Sequence, residues 1–430
     1  MTTLFLLPPV SAALVSELAQ HIPVRALTEP ESSFRTIQGA AAWYVRRIRA
    51  LQPKGPYRLA GGLMAYDAAM QLLGENEQLE YLAVFDAPVE DYDVYPIPAR
   101  VHLFLTAQAA NSGWTTLLRP GQTETHIVSG ARDSMLELPH VETLTAAVMQ
   151  SLRSAAQVSS PPRASSAALV TLQTGRAGAA PIFCVPGAGD SVTAFSALGE
   201  TLGSQVTLHG FQPQGFIDLE TPHSSVEAAA SCYVEALLRE HPTGAYHLLG
   251  HSFGGWIVFE MAMQMRVMGR SAASIAVIDT DAPGQPAREY SRVDTLLELV
   301  DLFELQASSP LNLPRASFEG LSRDAQLKLL HRRLTQAGLL PGWSDIQDLA
   351  AVLRVFATNI RTSYRPRAVC EQPVDLFWVP AGIEQTPSSA ELWREWAPHL
   401  RLHRVAGNHA TLLESPHVAA LARALQTLMK

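Results

Sequence analysis

The sequence predicts an α/β protein of two domains, each a mostly parallel sheet flanked by helices, and three observations carry that reading. Short apolar runs alternate with helix-length amphipathic segments along most of the chain. Parallel sheets covered by helices require this alternation, because strands buried on both faces read as short Val/Ile/Leu runs. The order of segments then occurs twice. Between the two occurrences lies "SLRSAAQVSSPPRASSAA" (151–168), whose Ser, Ala and Pro content is that of a linker. The expected organisation is a first domain over 1–152, a linker over 153–167 and a second domain over 168–430.

The repeat runs in register. "FLLPPV" from Phe5 matches "FCVPGA" from Phe183, and "YVRRIRALQPKGPYRLAG" (44–61) matches "YVEALLREHPTGAYHLLG" (233–250) without a gap. "AMQL" at Ala69 pairs with "AMQM" at Ala262, "LAVFD" ending at Asp86 with "IAVID" ending at Asp279, and "VHLFL" at Val101 with "VDLFW" at Val374. "LELPHV" at Leu136 matches "LESPHV" at Leu413. Six matches in one order mark an internal duplication.

In the second copy, "PIFCVPG", "QVTLHGF", "YHLLGHS", "SIAVIDT", "VDLFWVP" and "LRLHRVAG" read as strands, with helices such as "SVEAAASCYVEALLREH" and "GGWIVFEMAMQMRVMG" between them. One spacing differs sharply. Asp86 and Val101 are 15 positions apart, whereas Asp279 and Val374 are 95 apart. The extra segment, about 285–370, holds three helical stretches, "RVDTLLELVDLFEL", "SRDAQLKLLHRRLTQAG" and "DIQDLAAVLRVFATNI". An insertion of that length with its own helices reads as a lid. The first copy is lidless.

Composition excludes several classes. The net charge of −8 comes with no Lys/Arg run that could follow a phosphate backbone, so nucleic acid is not expected as a partner. Cys184, Cys232 and Cys370 form neither a disulfide framework nor a CxxC metal site, which fits a reducing cytoplasm. The apolar start "LFLLPPVSAALV" lacks a basic leader and is broken by Pro8-Pro9, and no apolar run approaches the ~20 residues that span a bilayer. No GxxxxGK or GxGxxG motif and no His/Cys cluster points to a nucleotide or metal; no cofactor is expected.

The chemistry concentrates in "YHLLGHSFGG". Gly250-His251-Ser252-Phe253-Gly254 is a G-x-S-x-G pattern that follows an apolar strand and opens a helix, the context in which the turn lifts a serine hydroxyl above the sheet edge. Gly250 and Gly254 allow the close approach such an elbow demands. A competing reading, a Gly-rich turn with an incidental serine, does not explain the flanking strand and helix.

A serine needs a base, and the base needs a carboxylate to fix its tautomer. Asp279 ends the next strand, and His409 lies in "VAGNHATLLE" just past the last one, so the order Ser, acid, His is met. Asp281 reads as a solvated turn residue, and Glu384 in "PAGIEQ" stands as an alternative acid. His417 has a counterpart in His140 of the first copy and reads as structural; His251 reads as packing or turn chemistry. An oxyanion would be held by the amide of Phe253 and by that of Ala188, aimed inward by Gly187 and Gly189.

Taken together, "GHSFGG", Asp279, the helical insertion and "GNHATLLESPHV" resemble the offloading thioesterase domains of nonribosomal peptide and polyketide synthases, members of the α/β-hydrolase superfamily. The resemblance covers about Leu169 to Lys430. It implies an acyl chain arriving on the phosphopantetheine thiol of a carrier protein, passing to Ser252 and leaving to water or to an internal nucleophile. In that family the offloading type takes its acid from the strand of Asp279, and free-standing proofreading enzymes commonly from the later strand where Glu384 lies. With no carrier domain in the chain, the carrier is expected in trans or in cis within a larger synthase. A carboxylesterase or lipase of free esters is the rival enzyme.

The first copy has lost this chemistry. Leu63 aligns with Ser252 and Arg132 with His409, Pro9 and Ser11 replace Gly187 and Gly189, and Asp86 alone survives opposite Asp279. The expectation is a domain unable to form an acyl-enzyme, serving as scaffold or carrier-docking module.

Overall fold

A computed structural model describes residues 2–28, 34, 36–87, 89, 97–109, 113–114, 118, 121–157, 168–216, 221–379 and 387–429. The chain divides into two compact units, Met1–Ala164 with Leu219–Thr221, and Ser165–Asp218 with Pro222–Lys430.

In the first unit, six strands form one all-parallel sheet: β1 (Leu4–Leu6), β2 (Val24–Ala26), β3 (Tyr57–Gly61), β4 (Leu79–Phe85), β5 (Val101–Thr106) and β6 (Thr123–Val128), in the order β2-β1-β3-β4-β5-β6. Helices α1 (Ala12–Ala19), α2 (Ile37–Leu51), α3 (Leu63–Gly74) and α4 (His140–Gln157) cover it. Alternation along β4 splits its side chains between two cores: Leu82 and Val84 pack with α2 and α3, Tyr81, Ala83 and Phe85 with α1 and α4. Each such fully buried Leu, Val or Phe contributes roughly 1.5–3 kcal/mol. Helix α4 runs on to Gln157, so five positions expected to be linker are helical; 158–167 lie outside the described residues.

The second unit repeats the plan. Its strands are β7 (Ala168–Gln173), β8 (Ala180–Val185), β9 (Val206–Gln212), β10 (His247–His251), β11 (Ser274–Ile278), β12 (Val374–Trp378) and β13 (Leu400–Arg404), ordered β13-β12-β11-β10-β8-β9-β7. Without β7 this is the order of the first sheet, β8 standing for β1 and β13 for β6. Strand β7 is an addition, not among the strands expected for the second copy although it lies within that domain's expected bounds; it pairs antiparallel with β9 at the sheet edge. Helices α5 (Ser196–Leu202), α6 (Val226–Glu240) and α7 (Phe253–Val267) follow. Equivalent hydroxyls cap the repeated 15-residue helices: Thr36 Oγ1 accepts from Gly39 N–H (3.1 Å) at α2, and Ser225 Oγ from Ala228 N–H (3.2 Å) at α6.

Between β11 and β12 the insertion holds α8 (Arg292–Glu304), α9 (Arg323–Gln336) and α10 (Ile346–Ile360). These helices close on a core of their own, with Leu296, Leu299, Phe318, Leu330, Leu353 and Phe356 buried together. The chain ends with α11 (Pro387–Trp396) and α12 (Val418–Leu428). Among the described residues no helix is long and apolar enough to cross a membrane.

Candidate active site

Ser252 sits between β10 and α7 as the helix N-cap, with φ +51° and ψ −123°. A β-carbon-bearing residue avoids this backbone region unless its surroundings enforce it. The glycines around it explain the enforcement. A Cβ at Gly250 would come within 2.2 Å of the Gly254 carbonyl oxygen, and one at Gly254 within 2.2 Å of the Val185 oxygen. The elbow is packed so tightly that only hydrogen fits at both positions. Behind it α7 is buried almost all round, which anchors the turn; its Glu260 accepts from Tyr364 Oη at 2.7 Å and from Gln264 Nε2 at 3.0 Å.

Asp279, just past β11, also takes a positive φ (+44°), and its N–H donates to the Phe377 carbonyl (2.7 Å). Its buried carboxylate accepts from His409 Nδ1 at 2.6 Å through Oδ2 and from Val379 N–H at 3.3 Å through Oδ1. With Nδ1 donating, Nε2 is the ring nitrogen left to take a proton. The loop bearing His409 is fixed by Asn408, whose Oδ1 accepts from the N–H groups of Ala410 (3.0 Å) and Thr411 (2.9 Å). His251 steadies it from below: its Nε2–H donates to the His409 carbonyl at 3.1 Å.

Ser252, His409 and Ala188 line one cavity of about 280 Å³, together with Asp190 and His251. The insertion supplies the apolar wall, through Leu299, Leu302, Phe303 and Val352. Ala188 packs into the insertion's core, and the Gly189 N–H donates to Asn359 Oδ1 on α10 (3.4 Å). A Cβ at Gly187 would press on Ser252 Cβ at 3.3 Å, so this loop lies directly against the elbow. Phe253 is the first residue of α7, where backbone N–H groups have no intrahelical acceptor.

The electrostatics follow from this enclosure. Burial alone would lower His409, but the hydrogen bond and charge of Asp279, with Asp190 and Asp281 further off, outweigh it and raise the imidazole above its ordinary value. His251 goes the other way, to about 3, through burial and then the neighbouring His409 charge. Partial desolvation at the cavity raises the Asp190 carboxyl, although its side chain keeps about half of its surface exposed. Asp190 and His251 were not among the residues expected to matter here; Asp190 lies two residues past Ala188 in the same loop, the only signal it carried. Asp281 is exposed and its carbonyl accepts from Trp256 Nε1 (2.7 Å), whereas Glu384 lies outside the described residues.

The first unit shows how the same frame looks without this chemistry. Registers agree up to Gly61 and Gly250, each paired with the equivalent valine of the next strand, Val84 and Val277. Then α3 begins one residue sooner than α7. Gly62 therefore takes the cap position that Ser252 holds, and Leu63, aligned with Ser252 by sequence, is already helical. The Pro9 ring covers this turn, its Cδ 2.9 Å from where a Gly62 Cβ would stand. Ser11 caps α1 by accepting from Leu14 N–H at 3.0 Å. Arg132 Nε lies 3.8 Å from Asp86 Oδ2, which also accepts from Thr106 Oγ1 at 3.0 Å. His140 and His417 fill matching places beneath Gly130 and Gly407, both glycines at positive φ.

The thioesterase domain family model matches residues 2–101 and 180–429, touching both units. The chain belongs to the thioesterase domain family. Among curated relatives, this thioesterase-family chain is 29% identical over 255 residues to the inactive atromentin synthetase invA3 of Paxillus involutus, covering 56% of this chain and 26% of that protein. It is 25% identical over 281 residues to the nonribosomal peptide synthetase btyA of Aspergillus terreus, covering 61% and 29%. The chain thus spans about a quarter of the length of these relatives. The holo form of a four-domain nonribosomal peptide synthetase matches with a TM-score of 0.54 at 22% identity, over 70% of this chain and 22% of that one, a likeness of fold. The two-domain α/β-hydrolase architecture expected from the repeat is the architecture found.

Proposed function

We propose that the second unit is a serine thioesterase that releases a peptidyl or polyketidyl chain from the phosphopantetheine thiol of a carrier protein. The observation that carries this reading is the Asp279–His409 hydrogen bond beside a serine on a strained elbow, with Ser252 and His409 lining one cavity. In the proposed cycle Ser252 Oγ attacks the thioester carbonyl carbon while its proton passes to His409 Nε2. The N–H groups of Ala188 and Phe253 hold the oxyanion. Collapse breaks the C–S bond, and the departing thiolate takes the proton from His409. Water, or a hydroxyl or amine of the chain itself, then gives its proton to His409 and attacks acyl-Ser252; collapse breaks the bond to Ser252 Oγ, which takes the proton back from His409, yielding acid or ring. The insertion acts as lid and, through its apolar wall, favours a chain that excludes water.

The first unit, with Gly62 and Leu63 at its turn and Arg132 in place of the base, is proposed to be non-catalytic and to serve as scaffold or as docking module for the carrier. Incubation with an acyl-pantetheine thioester and with a fluorophosphonate, followed by intact-mass measurement, tests the enzyme reading. One adduct, lost in Ser252→Ala, is expected; no adduct from either reagent overturns it, and turnover of simple oxygen esters as fast as thioesters would make the protein an esterase.

A further inference from the structure

The exposed end of the first sheet carries a cluster that the acyl-transfer chemistry does not use. His102 on β5 is paired in register with Glu124 on the edge strand β6, and His126 lies two residues further along β6, on the same face. Their ligand atoms lie within 4.8 Å of one another. His102 Nδ1 is 3.6 Å from Glu124 Oε2, and His126 Nε2 is 3.6 Å from Glu124 Oε1. Both nitrogens are buried and have no hydrogen-bond partner among the described residues, although the His102 side chain is only 1% exposed. Buried imidazole nitrogens ordinarily find a partner, so two orphaned ones aimed at one carboxylate need an explanation.

The second unit supplies a built-in comparison. The equivalent positions are Asp375 on β12 and Arg401 and His403 on β13, also paired in register. There the buried carboxylate is fully used, accepting from Arg401 at 2.5 Å and from His403 Nε2 at 2.7 Å. Even the ring stacking agrees: His403 lies 4.7 Å from Phe377, and His126 lies 4.7 Å from Phe104. The histidine and phenylalanine are thus common to both sheets. What differs is that the guanidinium, which cannot ligate a metal, has become Glu124, and the carboxylate has become His102.

We propose that His102, Glu124 and His126 bind a divalent transition metal ion of the zinc class. Two imidazoles and a carboxylate are a donor set that such ions accept, leaving one position open. Tetrahedral bonds of about 2.0–2.1 Å put neighbouring ligand atoms about 3.3 Å apart, so ligand atoms now within 4.8 Å of one another must close by up to about 1.5 Å, within reach of side-chain rotation at the part-exposed Glu124 and His126. Glu124 and His126 are part-exposed on the edge strand, which gives the ion its way in. Arg100, 3.3 Å from Glu124 and half-exposed, swings to solvent when the ion enters.

The test uses the full chain, untagged and chelator-treated, titrated calorimetrically with Zn²⁺ and, for the ligand field, with Co²⁺ followed by visible absorption. One equivalent bound per chain is expected, with a tetrahedral Co²⁺ spectrum. His126→Ala and Glu124→Gln should each weaken binding by more than the roughly 10–100-fold that a ligand's hydrogen-bond partner is worth. His403→Ala should leave it unchanged. The double variant His102→Asp/Glu124→Arg rebuilds the second sheet's ion pair; it should fold, by far-ultraviolet dichroism, and bind no metal. Absence of any site tighter than about 100 μM (−5.5 kcal/mol), or binding that survives all of these substitutions, overturns the proposal.

Discussion

Asp86 and Asp279 stand at the ends of equivalent strands in the same left-handed conformation, φ +31° and +44°, and each donates its N–H to a phenylalanine carbonyl on the next strand, Phe104 at 2.9 Å and Phe377 at 2.7 Å. The aspartate's backbone seat is the same in both units, whereas its side-chain partners differ: His409 and the Val379 N–H at Asp279, Arg132 and the Thr106 hydroxyl at Asp86. Asp279→Asn should therefore cost about 10⁴-fold in kcat. Asp86→Asn should leave kcat unaltered, both being read from steady-state hydrolysis of an acyl-pantetheine thioester.

Strain at Ser252 separates stability from activity. Non-glycine residues held at such angles cost on the order of 1–3 kcal/mol, part of which glycine recovers. Ser252→Gly should raise the unfolding free energy by about 1 kcal/mol in urea titrations and abolish turnover. Ser252→Ala should abolish turnover with no such gain.

The raised pKa of His409 should set the acid limb of kcat/KM above pH 6.5, since the proposed base must be neutral. Removing either carboxylate that raises it, by Asp279→Asn or Asp190→Asn, should move that limb to lower pH. For stability the sign is set by the same direction: the contribution of His409 is fully present below about pH 6.5 and is lost as pH rises through the higher folded value.

Restoring the missing side chains should not revive the first unit. In a Ser252→Ala background, Leu63→Ser with Arg132→His is expected to yield no acyl adduct by intact mass, because position 63 is helical and the cap belongs to Gly62. A measurable adduct on the hydroxyl introduced by Leu63→Ser would show that the elbow geometry is not the obstacle.

Much of this was legible in the sequence. The ungapped match from Tyr44 to Gly61 placed a helix end, a turn and a strand in both units, and the end of "IAVID" located Asp279 because a strand's last residue emerges at the sheet's carboxyl edge. The one-residue difference after Gly61 was hidden, since the two copies align without a gap through this turn and the helix start leaves no mark on the alignment. Strand β7 was hidden too: an antiparallel edge strand bordered by Ser and Pro lacks the long apolar run of a central one. The grouping of His102 with Glu124 and His126 needed register, which spacing across 22 residues does not convey.

The insertion enters from β11 and returns to β12, neighbours in the sheet, and its helices bury their apolar faces mainly against one another. Such a segment is an exchangeable cassette. Its shape can drift, or be swapped for another of different length, without reopening either core of the platform beneath. The ties at Ala188 and Gly189, with those from Arg354 to the Gly215 carbonyl and from Asn408 to the Leu305 carbonyl, then become joints at which a new cassette would have to be refitted.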